Sequence, residues 1–265
     1  MTTPGGDHRM NLDIQENRIN RIARFLMEYS DENGNKIYRD NLIEAVTTSK
    51  KTSIEINWAH LSAFDPKLAT ELMDYPEELI LATEDAILII LQKYFFMKNP
   101  PRIHARFYGL PETHSIREVE VEHKNKFIQV EGIIAKVREP GVFSPRTIFV
   151  CKDCGHEMIR LQKPYHRMIK PEKCECCGNR NLELDTDKSQ FSEFQEIWIQ
   201  DLSDKRRKIK AILLDDLVDT VSTKDHITAT GILRLVPKEK RSTPVFEKLL
   251  EVNHIERQTQ PEGQK

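Results

Sequence analysis

Along the first hundred positions, apolar residues recur at helical spacing. Ile19, Ile22, Ala23 and Leu26 fall at i, i+3, i+4 and i+7, and Ile87, Ile90, Leu91 and Tyr94 repeat the pattern, which predicts helices with one buried face. Between them TSIEINWAHL, from Thr52, alternates Ile54, Ile56 and Trp58 and predicts one short strand. Pro76 opens PEELILATEDAILIILQKYFF and suits a first-turn helix position, with Asp74 as the candidate cap. The double proline Pro100 and Pro101 ends this pattern, so residues 1–101 are expected to form a helical domain.

From Arg102 the period changes to that of strands. IHARFYG, KFIQVEGIIAKV, SEFQEIWIQDL, KIKAILLDDL, HITATGILRLV and PVFEKLLEV are short apolar or alternating runs separated by charged turns. Gly132 and Gly231 lie inside two of these runs, where a small barrel must bend, and the series predicts a closed or partly closed β-barrel. The barrel is expected over residues 102–150 and 186–256, interrupted after Val150 by a segment at 151–185, with strands resuming near Phe191 and a polar tail at 257–265. The fold class is therefore α+β: helices first, then an interrupted barrel.

The interrupting segment holds all five cysteines. Cys151-x2-Cys154 and Cys174-x2-Cys177 have the spacing of a closed four-cysteine zinc site, and Gly155 and Gly178 follow the two pairs where a tight knuckle turns back. Cys176 is the surplus thiol. It could replace Cys177, and His156 or His166 could stand in for a cysteine. Two disulfides are the competing reading, but the chain opens MTTPGGDHRM without an apolar signal segment, so a reducing cytoplasmic setting is expected. Four thiolates leave no open position for water, so the expected Zn2+ is structural.

Charge adds little at the level of the whole chain: 40 basic and 42 acidic side chains give a net charge of −2, so any nucleic-acid interface must be a local patch. No run approaches the ~18 apolar residues of a membrane helix. Two basic clusters stand out, Lys205, Arg206, Arg207, Lys208 and Lys210 in DKRRKIK, and Lys238, Lys240 and Arg241 in PKEKRSTP at the tip of an expected hairpin. Lys136, Arg138 and Arg146 form a weaker third. Charged turns are commonly just solvated turns, yet a tip with three cations and only Glu239 against them suits a phosphate backbone. No glycine precedes a lysine, so the GxxxxGK[ST] phosphate loop is absent, as are GxSxG and HExxH. Asp215 and Asp216, beside an apolar strand, read as a strand end, and no catalytic residue is assigned.

Helices, a barrel interrupted by a CxxC…CxxC finger, and a basic hairpin together resemble the N-terminal region of the archaeal minichromosome maintenance (MCM) replicative helicases. The resemblance is carried by KFIQVEGIIAKVREP at 126–140, FVCKDCGH at 149–156, FQEIWIQDL at 194–202 and LLDDLVDTVSTKDHITATGIL at 213–233. It implies an oligonucleotide-binding (OB) barrel, a hexameric ring around single- or double-stranded DNA, and zinc fingers through which two hexamers meet. It further implies channel contacts from Lys238, Lys240 and Arg241, and barrel contacts that grip single strands from Lys136, Arg206 and Arg207, to which Arg138 of the third cluster is added as a DNA-binding candidate. The turn after IWIQD lacks the family's proline-rich stretch, and the polar tail ERQTQPEGQK resembles the linker before an ATP-hydrolysing domain. The expected function is that of a non-catalytic, chromosome-associated DNA-binding and ring-assembly region. The alternative is a barrel-plus-zinc-ribbon RNA-binding factor of translation or transcription.

Overall fold

The computed structural model describes residues 6–48, 51–238 and 244–258, with side chains from residue 16 onward. Five helices open the chain: α1 (Gly6–Glu28), α2 (Ile37–Thr48), α3 (Trp58–Phe64), α4 (Pro66–Asp74) and α5 (Pro76–Lys93), with strand β1 (Ser53–Asn57) between α2 and α3. Their boundaries follow local chemistry. Asn57 ends β1 and caps α3 by accepting the Ala59 N–H, so Trp58, expected in the strand, opens a helix instead. Asp65 caps α4, accepting the Leu68 N–H, and also pairs with Arg21 at 2.6 Å. Pro76 does open α5, but the capping position is Tyr75, which makes no side-chain cap bond. Asp74 is not the cap: its carboxylate takes the Lys126 ammonium at 2.6 Å instead.

The helices bury Ile22, Phe25, Leu42, Leu72, Ile87 and Ile90 with Ile56 of β1 in one core. Tyr94, at the end of the periodic run, lies outside that core and is 60% exposed. The run IHARFYG is a strand, β2 (His104–Tyr108), but its partner is β1, in parallel, and not a strand of the barrel. Phe127 and Ile232 of the barrel enter the helical core, and Asn253 stitches β2 to the barrel by accepting the Phe107 N–H at 2.7 Å and donating to the Ala105 carbonyl at 2.9 Å.

The remaining strands form one sheet: β3 (Thr113–Ser115), β4 (Phe127–Val137), β5 (Gly141–Cys151), β6 (Glu157–Leu161), β7 (Leu182–Gln200), β8 (Lys208–Leu214), β9 (His226–Pro237) and β10 (Phe246–Arg257). The order is β3-β4-β9-β10-β8-β7-β5-β6, and β4 also pairs with β7, which closes five strands into a barrel. Its interior is aliphatic, with Ile134, Ile197, Ile199, Leu213, Ile227 and Leu250 among the buried residues. Gly132 and Gly231 serve close approach: a Cβ on Gly132 would stand 2.5 Å from the Gln200 carbonyl oxygen, and one on Gly231 would meet the Glu251 carbonyl.

Strands resume earlier than the sequence pattern suggests, at Leu182 and not near Phe191. The 19-residue β7 pairs with β5 near Cys151 at its beginning and with β8 at its end, so the cysteine segment grows out of the barrel sheet on a shared strand. Between helices, finger and barrel sits a buried ionic node. Glu251 of β10 accepts hydrogen bonds from Lys163 Nζ (2.7 Å), the Tyr165 hydroxyl (2.7 Å) and Arg234 Nε (2.9 Å), while Arg234 also reaches Glu77 of α5 at 2.8 Å. Burial would push the Glu251 carboxyl up, but the charges of Lys163 and Arg234 overcome it and hold the group below its ordinary value.

Candidate metal centre and nucleic-acid interface

Cys151 is the last residue of β5, and the two knuckles that follow are built alike. Gly155 (φ 73°) and Gly178 (φ 76°) adopt the left-handed turn, and their N–H groups donate to the Cys151 carbonyl at 2.8 Å and the Cys174 carbonyl at 3.0 Å. The turns bring Cys151, Cys154, Cys174 and Cys177 together, with all four sulfurs within 4.8 Å of one another. Between the knuckles, Cys151 stands 3.6 Å from Cys177 and Cys154 stands 3.6 Å from Cys174. A disulfide needs about 2.05 Å, whereas a tetrahedral ion with bonds of about 2.3 Å sets its sulfurs about 3.8 Å apart. The four sulfurs therefore fit a metal ion better than a pair of disulfides.

Backbone N–H groups of Cys177 and Cys176 aimed at Cys174 hold its thiol down to about 6, whereas the neighbouring thiols and burial push Cys154 and Cys177 up, so the donor set rests on the sulfur geometry. Cys176 is exposed and outside the cluster, and among the described residues neither His156 nor His166 joins a metal-binding group. The surplus thiol of the sequence is thus the one the fold leaves aside.

A second site lies on the outer face of the barrel. In the alternation FQEIWIQ, Ile197 and Ile199 enter the core, while Glu196, Trp198 and Gln200 point outward. Trp198 pairs across the sheet with Lys136 on β4 and Lys210 on β8. Three cations gather over its ring: Lys136 Nζ at 5.1 Å from the centroid, Arg138 Cζ at 5.2 Å and Lys210 Nζ at 6.0 Å. Glu196 holds two of them, pairing with Arg138 at 2.8 Å and with Lys210. The strand pattern could have disclosed Trp198, since an indole on the polar side of an alternating strand has no core to fill.

Arg206 and Arg207 lie one step along the same ribbon, on the turn that joins β7 to β8, and do not reach the Trp198 cluster. Buried Asp201 shapes that turn: it accepts the Ser203 hydroxyl (2.7 Å) and the N–H groups of Ser203 (2.8 Å), Asp204 (3.0 Å) and Arg117 (3.1 Å). Burial pushes its carboxyl up, but the Ser203 hydroxyl and the backbone donors prevail and hold it at about 2. Arg206 pairs with Asp204 at 3.0 Å and stays 91% exposed. Arg207, Lys208 and Lys248 line a groove beside Ile116. Lys238 follows directly on β9, its N–H donating to the Val245 carbonyl at 3.0 Å just beyond the Pro237–Phe246 pair. Lys240 and Arg241 fall outside the described residues.

No helix among the described residues is long and apolar enough to cross a membrane. The model of the MCM N-terminal domain matches residues 19–110, and that of the MCM OB domain matches residues 115–237. Similar proteins include DNA replication licensing factor mcm2 of Schizosaccharomyces pombe, 27% identical over 88% of this chain and 30% of the relative. DNA replication licensing factor mcm-6 of Caenorhabditis briggsae is 27% identical over 88% of this chain and 30% of its own length. Minichromosome maintenance protein MCM of Saccharolobus solfataricus is 24% identical over 89% of this chain and 36% of its own length. The chain thus spans about a third of the length of these relatives, and across that span, with its helical N-terminal unit and its finger-bearing OB barrel, it belongs to the MCM family.

Proposed function

We propose that the chain is the non-catalytic, chromosome-associated DNA-binding and ring-assembly region of an ATP-dependent replicative helicase. The observation that carries this reading is the joint presence of the MCM N-terminal and OB domains with cations gathered on the barrel's outer ribbon. Lys136, Arg138, Arg206 and Arg207 would meet phosphates along that ribbon, and Lys238, Lys240 and Arg241 would meet them from the hairpin. The chain's net charge of −2 gives no long-range attraction, so affinity would come from local patches multiplied around a hexamer, single or double.

In this reading the four cysteines hold Zn2+. Their all-sulfur donor set suits zinc, and a closed tetrahedral site shapes the finger without activating water. Fluorescence anisotropy of labelled DNA across a salt series tests the proposal. Binding should weaken steeply with salt, and affinity that is absent at low salt or indifferent to salt would overturn it.

A further inference from the structure

The loop between the finger's two knuckles meets both of the other units. Tyr165 sets its ring against a small apolar cluster of Ile212, Val236 and Leu249 on the barrel and donates its hydroxyl to Glu251. Lys163 stands between two carboxylates, Glu251 at 2.7 Å and Glu77 of α5 at 3.3 Å. Arg234 stands between the same two, at 2.9 Å and 2.8 Å. Two cations and two carboxylates thus form a closed ring of four ion pairs that joins finger, barrel and helical unit. The ring is unevenly buried, and this decides where it would open: Glu251 exposes 11% of its side chain and Glu77 55%. Without Lys163, two carboxylates would share one guanidinium. Glu251, enclosed, would keep Arg234, since a buried charge stripped of its partner costs far more than an exposed one. Glu77, repelled by Glu251, can turn to water, and the first turn of α5 would come away from the ring.

Lys163 and Tyr165 belong to the loop that Cys154 opens and Cys174 closes. The four cysteines, closed on an ion as proposed above, pin the two ends of that loop, and without an ion the ends are free to part. We infer that the loop is a strap through which the helical unit senses whether the cysteine site is closed. With the knuckles pinned, Lys163 completes the ring and α5 is held; with them open, the strap slackens and the first turn of α5 is released. Such coupling is reciprocal, so Glu77, which lies outside the cysteine cluster, helps to retain the metal. The inference rests on the metal reading above and adds to it a second place where occupancy is felt.

Two measurements on the full chain test the strap: hydrogen exchange read by mass spectrometry over residues 76–84, and the rate at which metal is lost to an excess of strong chelator. In the parent, stripping the metal should raise exchange over this segment about tenfold, within the usual range for coupled sites. Lys163→Met keeps a long apolar stem and removes the charge. It should raise exchange equally with the metal still in place, and stripping should then add little. Glu77→Gln should release metal several-fold faster than the parent. Asp74→Asn breaks the Lys126 pair between the same two units but outside the ring, and should release metal at the parental rate. Unchanged exchange over 76–84 in Lys163→Met, or parental metal retention in Glu77→Gln, would overturn the strap and leave the metal reading standing. A chain purified without metal would overturn the metal reading and, with it, the strap's trigger.

Discussion

Cys174 and Cys176 stand two positions apart and meet different fates. Cys174 is buried, receives backbone N–H groups at its sulfur and faces three other thiols, whereas Cys176 projects into solvent. Cys176→Ser should therefore retain about one zinc per chain by elemental analysis, and Cys174→Ser should lose it. Asp201 offers a test of another kind. Its folded value of about 2 lies below the ordinary carboxylate value of 3.8, so the stability it contributes is complete above about pH 4 and is lost as pH falls toward 2. Asp201→Asn should destabilise the chain by roughly 1–3 kcal/mol at neutral pH, because an amide oxygen replaces a carboxylate that accepts four donors. In urea titrations its deficit against the parent should shrink as pH drops from 5 to 3, and a deficit that grew on acidification would reverse the sign of the claim.

At the scale of elements, how much could be read in advance depended on how local the signal was. The helices around Ile22 and Ile87, the paired CxxC knuckles and the β9–β10 hairpin all announce themselves within one turn or one strand pair. The pairing of β2 with β1 does not, because a parallel partnership across some fifty residues leaves no mark on either strand. Asp74 was legible as a cap by residue type, yet Lys126, distant in sequence, claims its carboxylate. The alternation of IWI puts Trp198 on the outer face, but its cationic neighbours Lys136 and Lys210 come from two other strands, and only the sheet register brings them to its ring. The hairpin carries its own prediction. Pro237 pairs with Phe246 at the end of the ladder, and the cations Lys238, Lys240 and Arg241 follow. Changing all three to alanine should flatten the salt dependence of DNA binding, by about 0.7 to 0.9 in the log–log slope for each phosphate no longer neutralised. Zinc content should stay the same, and an unaltered slope would remove the hairpin from the interface.

For the molecule as a whole, a protomer of 30.9 kDa with a net charge of −2 would, in the reading proposed above, hold a polyanion only in company. The chain should associate head to tail into closed rings, observed by light scattering as a mass several times that of the protomer. A strict monomer throughout the micromolar range would count against ring assembly. The closure of the barrel bears also on the order in which the protein is made. Phe127 of β4 pairs with Ile232 of β9, a separation of 105 residues (232 − 127), and everything from finger to hairpin lies between them. Such distant pairing forms slowly, because a long loop must close before the paired strands stabilise each other. The knuckles at Cys154 and Cys174 need only a short loop, and an ion captured there releases binding energy at once. With a metal ion held as proposed, the finger would act as a clasp that brings β5 and β7 together before the distant β4–β9 pairing closes the barrel, so a chelator present during refolding should slow barrel closure.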